Sequence, residues 1–222
     1  MAALNHITDW VFDLDNTLYP ASANLFAQID VRMAAFIGQL LDLSPEAARA
    51  LQKRYFREHG TTLRGLMDSH GVAPRQFLDF VHDIDLSVLT PDPRVIAGLA
   101  RLPGRKLVFT NGDAAYATRV LNALGLNGAF DALIDIEATG WMPKPAADAY
   151  RRLASALPDP RRALFVEDMA RNLRPAKALG MATVWVDNGS EHGAHEACPS
   201  YIDHRIGDVG EWLAGLCLSV AA

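Results

Sequence analysis

The hydrophobic pattern changes period along the chain. Residues 10–13 form a short apolar run ending in an acid, as expected of a strand buried on both faces. From about residue 20 to residue 88 the period is helical instead. Phe26, Ile29, Met33, Phe36, Ile37 and Leu40 recur at three- and four-residue spacing and predict one apolar helix stripe. Ser44-Pro45-Glu46 supplies an N-cap, a proline for the first helical position and an acid for the first turn, so a second helix starts there. Gly60 and Gly71 punctuate this block, and Pro74 opens a shorter helix running towards His82. After Pro91-Asp92-Pro93 the two periods alternate. Strands are expected at 106–110, 132–136, 163–167 and 183–186, and helices at 114–124, 147–156, 172–179 and from about 209.

Alternation of this kind implies a parallel sheet covered by helices. The expected fold class is therefore α/β, a Rossmann-like parallel sheet core in three layers (α/β/α). Residues 1–18 plus 89–222 form that core, and 19–88 form an all-helical unit inserted after the first strand. No internal repeat or low-complexity linker interrupts it.

Composition narrows the class. The chain has 222 residues, 50% of them hydrophobic, which suffices for a buried core and a smaller accessory unit. Lys and Arg total 21 against 26 acids, for a net charge of −5, and they are dispersed. No nucleic-acid partner is expected, and a phosphorylated substrate would need cations placed locally. Cys198 and Cys217 read as free thiols rather than a bridge. The start, Met-Ala-Ala-Leu-Asn-His, lacks a signal-peptide pattern, and no run approaches ~18 apolar residues. A reduced, cytoplasmic chain without a membrane partner is the expectation; oligomeric state is not legible.

Candidate chemistry gathers where the predicted strands end. Asp13 and Asp15, in Val11-Phe12-Asp13-Leu14-Asp15-Asn16-Thr17, lie two apart, and side chains two apart on a strand share a face. One carboxylate can attack or bind metal while the other moves a proton. Thr110-Asn111-Gly112 follows the second strand and can offer donors to an anion. Lys144 is flanked by Pro143 and Pro145, which restrict the backbone and aim the ammonium. Glu167-Asp168 follows a later strand, with Asn172 beyond. Each alone has an ordinary reading as a turn, a solvated lysine or a helix cap. Those readings do not explain why the groups fall at strand ends in succession.

In this order the groups resemble the four motifs of the haloacid-dehalogenase superfamily of phosphohydrolases, and 19–88 resembles its helical cap. Further stretches are similar to the pyrimidine 5′-nucleotidase branch: Leu18-Tyr19-Pro20, Gly60-Thr61-Thr62-Leu63, Val81-His82-Asp83-Ile84-Asp85 and Phe165-Val166-Glu167-Asp168. The resemblance implies phosphoryl transfer through an aspartyl-phosphate. Asp13 would be the nucleophile and Asp15 the general acid and base. Thr110, Asn111 and Lys144 would hold the phosphoryl group. Mg²⁺ would bind Asp13, the Asp15 carbonyl and Asp168, with Glu167 as a direct or water-mediated contact. Glu167 departs from the aspartate common at that place, and Asn172 replaces a second aspartate.

The substrate implied is a small phosphomonoester, a pyrimidine nucleoside 5′-monophosphate first, a sugar phosphate or phosphoglycolate as the alternative. A phosphomutase, a 2-haloacid dehalogenase and a catalytically silent regulator share parts of the pattern. Asp15 and Glu167-Asp168 argue against the dehalogenase, because a halide leaves without a proton and without a metal. Substrate choice is expected in the cap, from Tyr19, Thr61, Thr62, Arg64, Leu66, His82 and Asp83. The run Glu191-His192-Gly193-Ala194-His195-Glu196 reads as a loop rather than a second metal site.

Overall fold

The first strand, β1 (Asp9–Phe12), is buried along its whole length. This is a computed structural model, and it describes residues 4–190 and 192–216. The first three residues, Glu191 and Cys217 lie outside the described residues; Cys198 is a free thiol.

Four helices follow β1: α1 (Leu25–Leu41), α2 (Pro45–His59), α3 (Thr62–His70) and α4 (Pro74–Val81). Helix α1 buries Leu25, Ile29, Phe36 and Ile37. The expected stripe is thus shifted, because Phe26 and Leu40 lie on the solvent side, 38% and 40% exposed. Helix α2 starts as its sequence predicts, with Ser44 Oγ accepting from the Ala47 N–H at 3.3 Å and Pro45 in the first turn. Thr61 caps α3 in the same way, its Oγ1 accepting from the Arg64 N–H at 3.1 Å.

The rest alternates: α5 (Pro93–Arg101), β2 (Arg105–Phe109), α6 (Ala114–Ala123), β3 (Ala132–Ile134), α7 (Ala147–Ala156), β4 (Ala163–Glu167), α8 (Ala170–Ala178), β5 (Ala182–Val186), β6 (His204–Ile206) and α9 (Val209–Gly215). Two of these elements are additions to the expected set. Helix α5 begins at Pro91-Asp92-Pro93, the boundary between the two periods, with Asp92 Oδ1 accepting from the Arg94 N–H at 2.8 Å. Strand β6 has only three residues, too short for periodicity to reveal. Strand β3 stops at Ile134, two residues short of expectation, because the Asp135 carboxylate turns inward to accept from the Ala114 and Ala138 N–H groups.

Among the described residues the strands form one parallel sheet in the order β3-β2-β1-β4-β5-β6. Alternate side chains feed opposite faces. Trp10, Phe12, Val108, Leu164 and Val166 join α5, α6, α9 and the inserted helices in one cluster. Val11, Leu107, Phe109 and Phe165 join α7 and α8 in the other. The core is therefore three-layered (α/β/α), and the insertion shares a continuous apolar cluster with one face of it.

Candidate active site

Because β1 pairs with both β2 and β4, it marks the switch point of the sheet, where loops from opposite crossovers diverge. Asp13, Thr110 and Glu167-Asp168 follow or end these three strands, and Lys144 arrives on the loop between β3 and α7. The Asp13 N–H still donates to the Val166 carbonyl at 2.9 Å, one residue past β1. The chain then turns: Asn16 takes a φ of +57°, and the Leu18 N–H donates to the Leu14 carbonyl at 3.0 Å. Asp13 and Asp15 thus do not share a strand face, as their spacing alone would have it. The strand stops at Phe12, and the turn sends Asp13 towards Lys144 and Asp15 towards Tyr116.

Lys144 is the centre of the site. Its ammonium donates to Asp13 Oδ1 at 2.6 Å, Glu167 Oε2 at 2.7 Å and the Phe109 carbonyl at 2.8 Å. That uses all of its N–H donors. Burial alone would lower its pKa; the charges of Asp13 and Glu167 outweigh burial and hold it above the ordinary lysine range. The loop carrying it is gripped by Asn111, whose Oδ1 accepts the Lys144 N–H at 2.8 Å and whose amide donates to the Lys144 carbonyl at 3.4 Å. Thr110 is buried, its Oγ1 accepting from the Gly112 N–H at 3.0 Å.

Asp13, Glu167 and Asp168 offer carboxylate oxygens all within 4.8 Å of one another, and all three residues are buried. One lysine leaves this trio with excess negative charge. Burial first, and then the neighbouring carboxylates, push both Glu167 and Asp168 upward. An all-oxygen, anionic donor set fits a hard divalent cation such as Mg²⁺. Each of the three offers one candidate ligand oxygen. Glu167 already meets Lys144 through Oε2, while its Oε1 accepts from Asn172 Nδ2 at 2.8 Å and the Met169 N–H at 3.3 Å.

Several contributors have no expected role in the sequence. Thr17 Oγ1 donates to Asp13 Oδ2 at 3.2 Å and accepts from the Asp168 N–H at 3.1 Å, linking two acidic motifs. Trp185 Nε1 donates to the Asp168 carbonyl at 2.8 Å. Asp15 Oδ1 accepts from Tyr19 at 2.7 Å and from Tyr116 at 2.6 Å. Loss of hydration, then the charge of Asp13, raise the Asp15 carboxyl, against the two tyrosine donors. Asp113 caps α6, its Oδ1 accepting from the Tyr116 N–H at 2.8 Å, which an acid preceding Ala114-Ala115 signals; nothing local to Tyr116 signals its contact with Asp15.

The residues expected to choose the substrate fall in different places. Tyr19 is buried against Asp15 rather than open to a ligand. Thr61 caps α3, and Thr62 is buried with its hydroxyl 3.5 Å from the Gln52 carbonyl. Leu66 is buried, and the exposed Asp83 pairs with Arg32 at 3.1 Å. His82 reaches the core, its Nδ1 2.9 Å from Asp113 Oδ2. Arg64 pairs with Asp68 at 2.7 Å and donates to Met142 Sδ at 3.5 Å. It lines a cleft of about 370 Å³ between insertion and core, together with Arg57, Gly60, Pro143, Arg171 and Arg174.

Known proteins resemble this chain in sequence and fold. Residues 11–180 match the family model of haloacid dehalogenase-like hydrolases. Phosphate metabolism protein 8 of Saccharomyces cerevisiae is 27% identical over 190 residues, covering 78% of this chain but only 59% of its own length. Glyceraldehyde 3-phosphate phosphatase of Methanopyrus kandleri is 32% identical over 197 residues, covering 81% of this chain and 83% of its own. The solved HAD phosphatase of Thermococcus onnurineus matches with a TM-score of 0.62 at 19% identity, over 93% of this chain and 96% of that one. An L-2-haloacid dehalogenase of Xanthobacter autotrophicus matches at 0.57, with 18% identity over 93% of this chain and 97% of its own, so fold likeness does not separate the two chemistries.

Proposed function

Because this chain belongs to the haloacid dehalogenase-like hydrolase family, we propose that it is a Mg²⁺-dependent phosphatase of small phosphomonoesters. One observation carries the reading: a buried lysine pairs the nucleophile candidate Asp13 with Glu167, beside a third carboxylate, Asp168. Dehalogenation has no use for such a cation-demanding acidic trio, nor for an acid at Asp15.

In the proposed reaction an Asp13 carboxylate oxygen attacks phosphorus and the bond to the leaving oxygen breaks. Asp15 gives that oxygen its proton. Water then attacks the aspartyl-phosphate, passing a proton back to Asp15 and releasing Asp13 and phosphate. Lys144 stays charged throughout and offsets the approach of a carboxylate to a phosphate dianion. At an effective dielectric near 20, two unit charges 4 Å apart interact by about 4 kcal/mol. Thr110 sits at the β2 end as a phosphate-side donor, and Asn111 beside it holds the Lys144 loop in place. A bound Mg²⁺, held by Asp13, the Asp15 carbonyl and Asp168, would supply further charge neutralisation.

For the leaving group, the similarity of the segments around Tyr19, Thr61 and His82 to the pyrimidine 5′-nucleotidase branch, rather than any contact these residues make, supports a pyrimidine nucleoside 5′-monophosphate. The 32% identity to a glyceraldehyde 3-phosphate phosphatase favours a second reading, a three-carbon phosphate. Among the described residues no helix is long and apolar enough to cross a membrane. The test is phosphate release from UMP, CMP, AMP, phosphoglycolate, glyceraldehyde 3-phosphate and hexose phosphates, with and without Mg²⁺, and with Asp13→Asn as control. A wild type inactive on all of them, or an Asp13→Asn variant as active as wild type, sinks the phosphatase reading. Preference for the triose or hexose phosphates sinks the nucleotide.

A further inference from the structure

Asp15 is held from one side only. Its Oδ1 takes two hydroxyl donors, Tyr19 and Tyr116, and among the described residues its Oδ2 takes no hydrogen bond. Both tyrosines are buried, 3% and 1% exposed. Each hydroxyl donates to Asp15 Oδ1, at 2.7 Å from Tyr19 and 2.6 Å from Tyr116.

Tyr116 is itself fixed. Its backbone N–H donates to Asp113 Oδ1 at 2.8 Å in the first turn of α6. Its ring lies flat on the His82 imidazole, centroids 4.0 Å apart and planes within 13°. His82 in turn meets Asp113 Oδ2 at 2.9 Å, and its carbonyl accepts from Arg119 at 2.5 Å. Gly112 makes room: a Cβ there would lie 2.9 Å from Tyr116 Cδ1. His82 is the residue that ends α4, so the inserted helices rest on the ring that holds Asp15.

We propose that Tyr116 and Tyr19 are positioning residues that occupy Asp15 Oδ1 and leave Oδ2 to give and take the proton, and that His82 stacking makes this geometry depend on the seated cap. The proposal rests on the phosphatase reading above. It makes proton delivery to the leaving oxygen depend on the contact between His82 and Tyr116. An Asp15 freed of its donors would rotate and lose its aim.

The test exploits leaving groups. A p-nitrophenolate departs without a proton, whereas an alkoxide needs one. The ratio of kcat/KM on the alkyl phosphomonoester the wild type hydrolyses fastest to that on p-nitrophenyl phosphate reads proton delivery in the first step. Tyr116→Phe is expected to lower this ratio about tenfold or more, within the ~10²–10⁴ that general acid catalysis contributes. Tyr19→Phe and His82→Ala should lower it in the same direction, and His82→Phe, which keeps a ring on Tyr116, should restore it. Folded Tyr116→Phe and Tyr19→Phe variants that lose equally on both esters, or lose nothing, would overturn the proposal. So would a ratio lowered as much by His82→Phe as by His82→Ala. A wild type that hydrolyses neither ester fails the phosphatase reading instead, and the positioning role with it.

Discussion

Lys144 Nζ and Asp13 Oδ1 meet at 2.6 Å across 131 residues of sequence. Both side chains are almost wholly buried, at 1% and 8% exposure. Removing one partner of such a pair leaves its mate charged and unpaired in a dry site, which costs more than the pair is worth intact.

Lys144→Met should therefore destabilise the chain by about 3–5 kcal/mol, because Asp13, Glu167 and Asp168 lose their shared cation. Urea unfolding measures this. Turnover should fall by at least about 10²-fold, the scale of losing one preorganised charge-stabilising donor. A Lys144→Met variant as stable as wild type would mean that the trio is neutralised by protonation instead.

Mg²⁺ should stabilise the folded chain. At about 100 times its dissociation constant a ligand specific for the folded state adds ~2.7 kcal/mol. The rise in melting temperature should vanish with EDTA and in Asp168→Asn, and persist in Asn172→Ala, because Asn172 contacts Glu167 alone among the trio. An unchanged Mg²⁺ response in Asp168→Asn would remove Asp168 from the metal set.

The metal-free chain should lose stability as pH rises from about 4.5 to about 7. Burial, then Asp13, push Glu167 up to about 7 from an ordinary value of 4.5, and Asp168 is raised too. Over that interval the folded state binds more protons than the unfolded one, so stability falls with pH. Saturating Mg²⁺ should flatten the slope, because it pairs with the ionised forms. Thermal melts in EDTA and in Mg²⁺ across this range provide the check, and a metal-free stability that rises with pH contradicts it.

Thr17→Val should cost about 1–3 kcal/mol, the penalty of leaving the buried Asp168 N–H without its acceptor, and should lower kcat. Thr17→Ser, which keeps the hydroxyl, should recover most of both. Equal effects from Val and Ser would point to lost packing of the methyl group rather than to the bond between the acidic motifs.

Much of the frame is local and so was written in the chain. Ser44-Pro45 starts α2, apolar runs make strands buried on both faces, and the acidic, Thr-Asn and Glu-Asp groups follow strands in order. These features depend on neighbours within about four residues, the reach of periodicity and capping. Their convergence follows once the sheet is parallel, since all strand ends then lie on one side.

What the side chains touch was decided by tertiary structure alone. The spacing of Asp13 and Asp15 implied one shared face, but β1 ends at Phe12 and the chain turns at once, so the two point apart. Asn111 could be read as a phosphate donor, yet it grips the Lys144 backbone 33 residues away. His82 and Tyr19 looked like substrate contacts, yet one rests on Tyr116 and the other holds Asp15. Tyr116 lies 101 residues from Asp15. No local pattern relates them, because they meet only when β1 and β2 pair and the inserted helices settle on that face of the sheet.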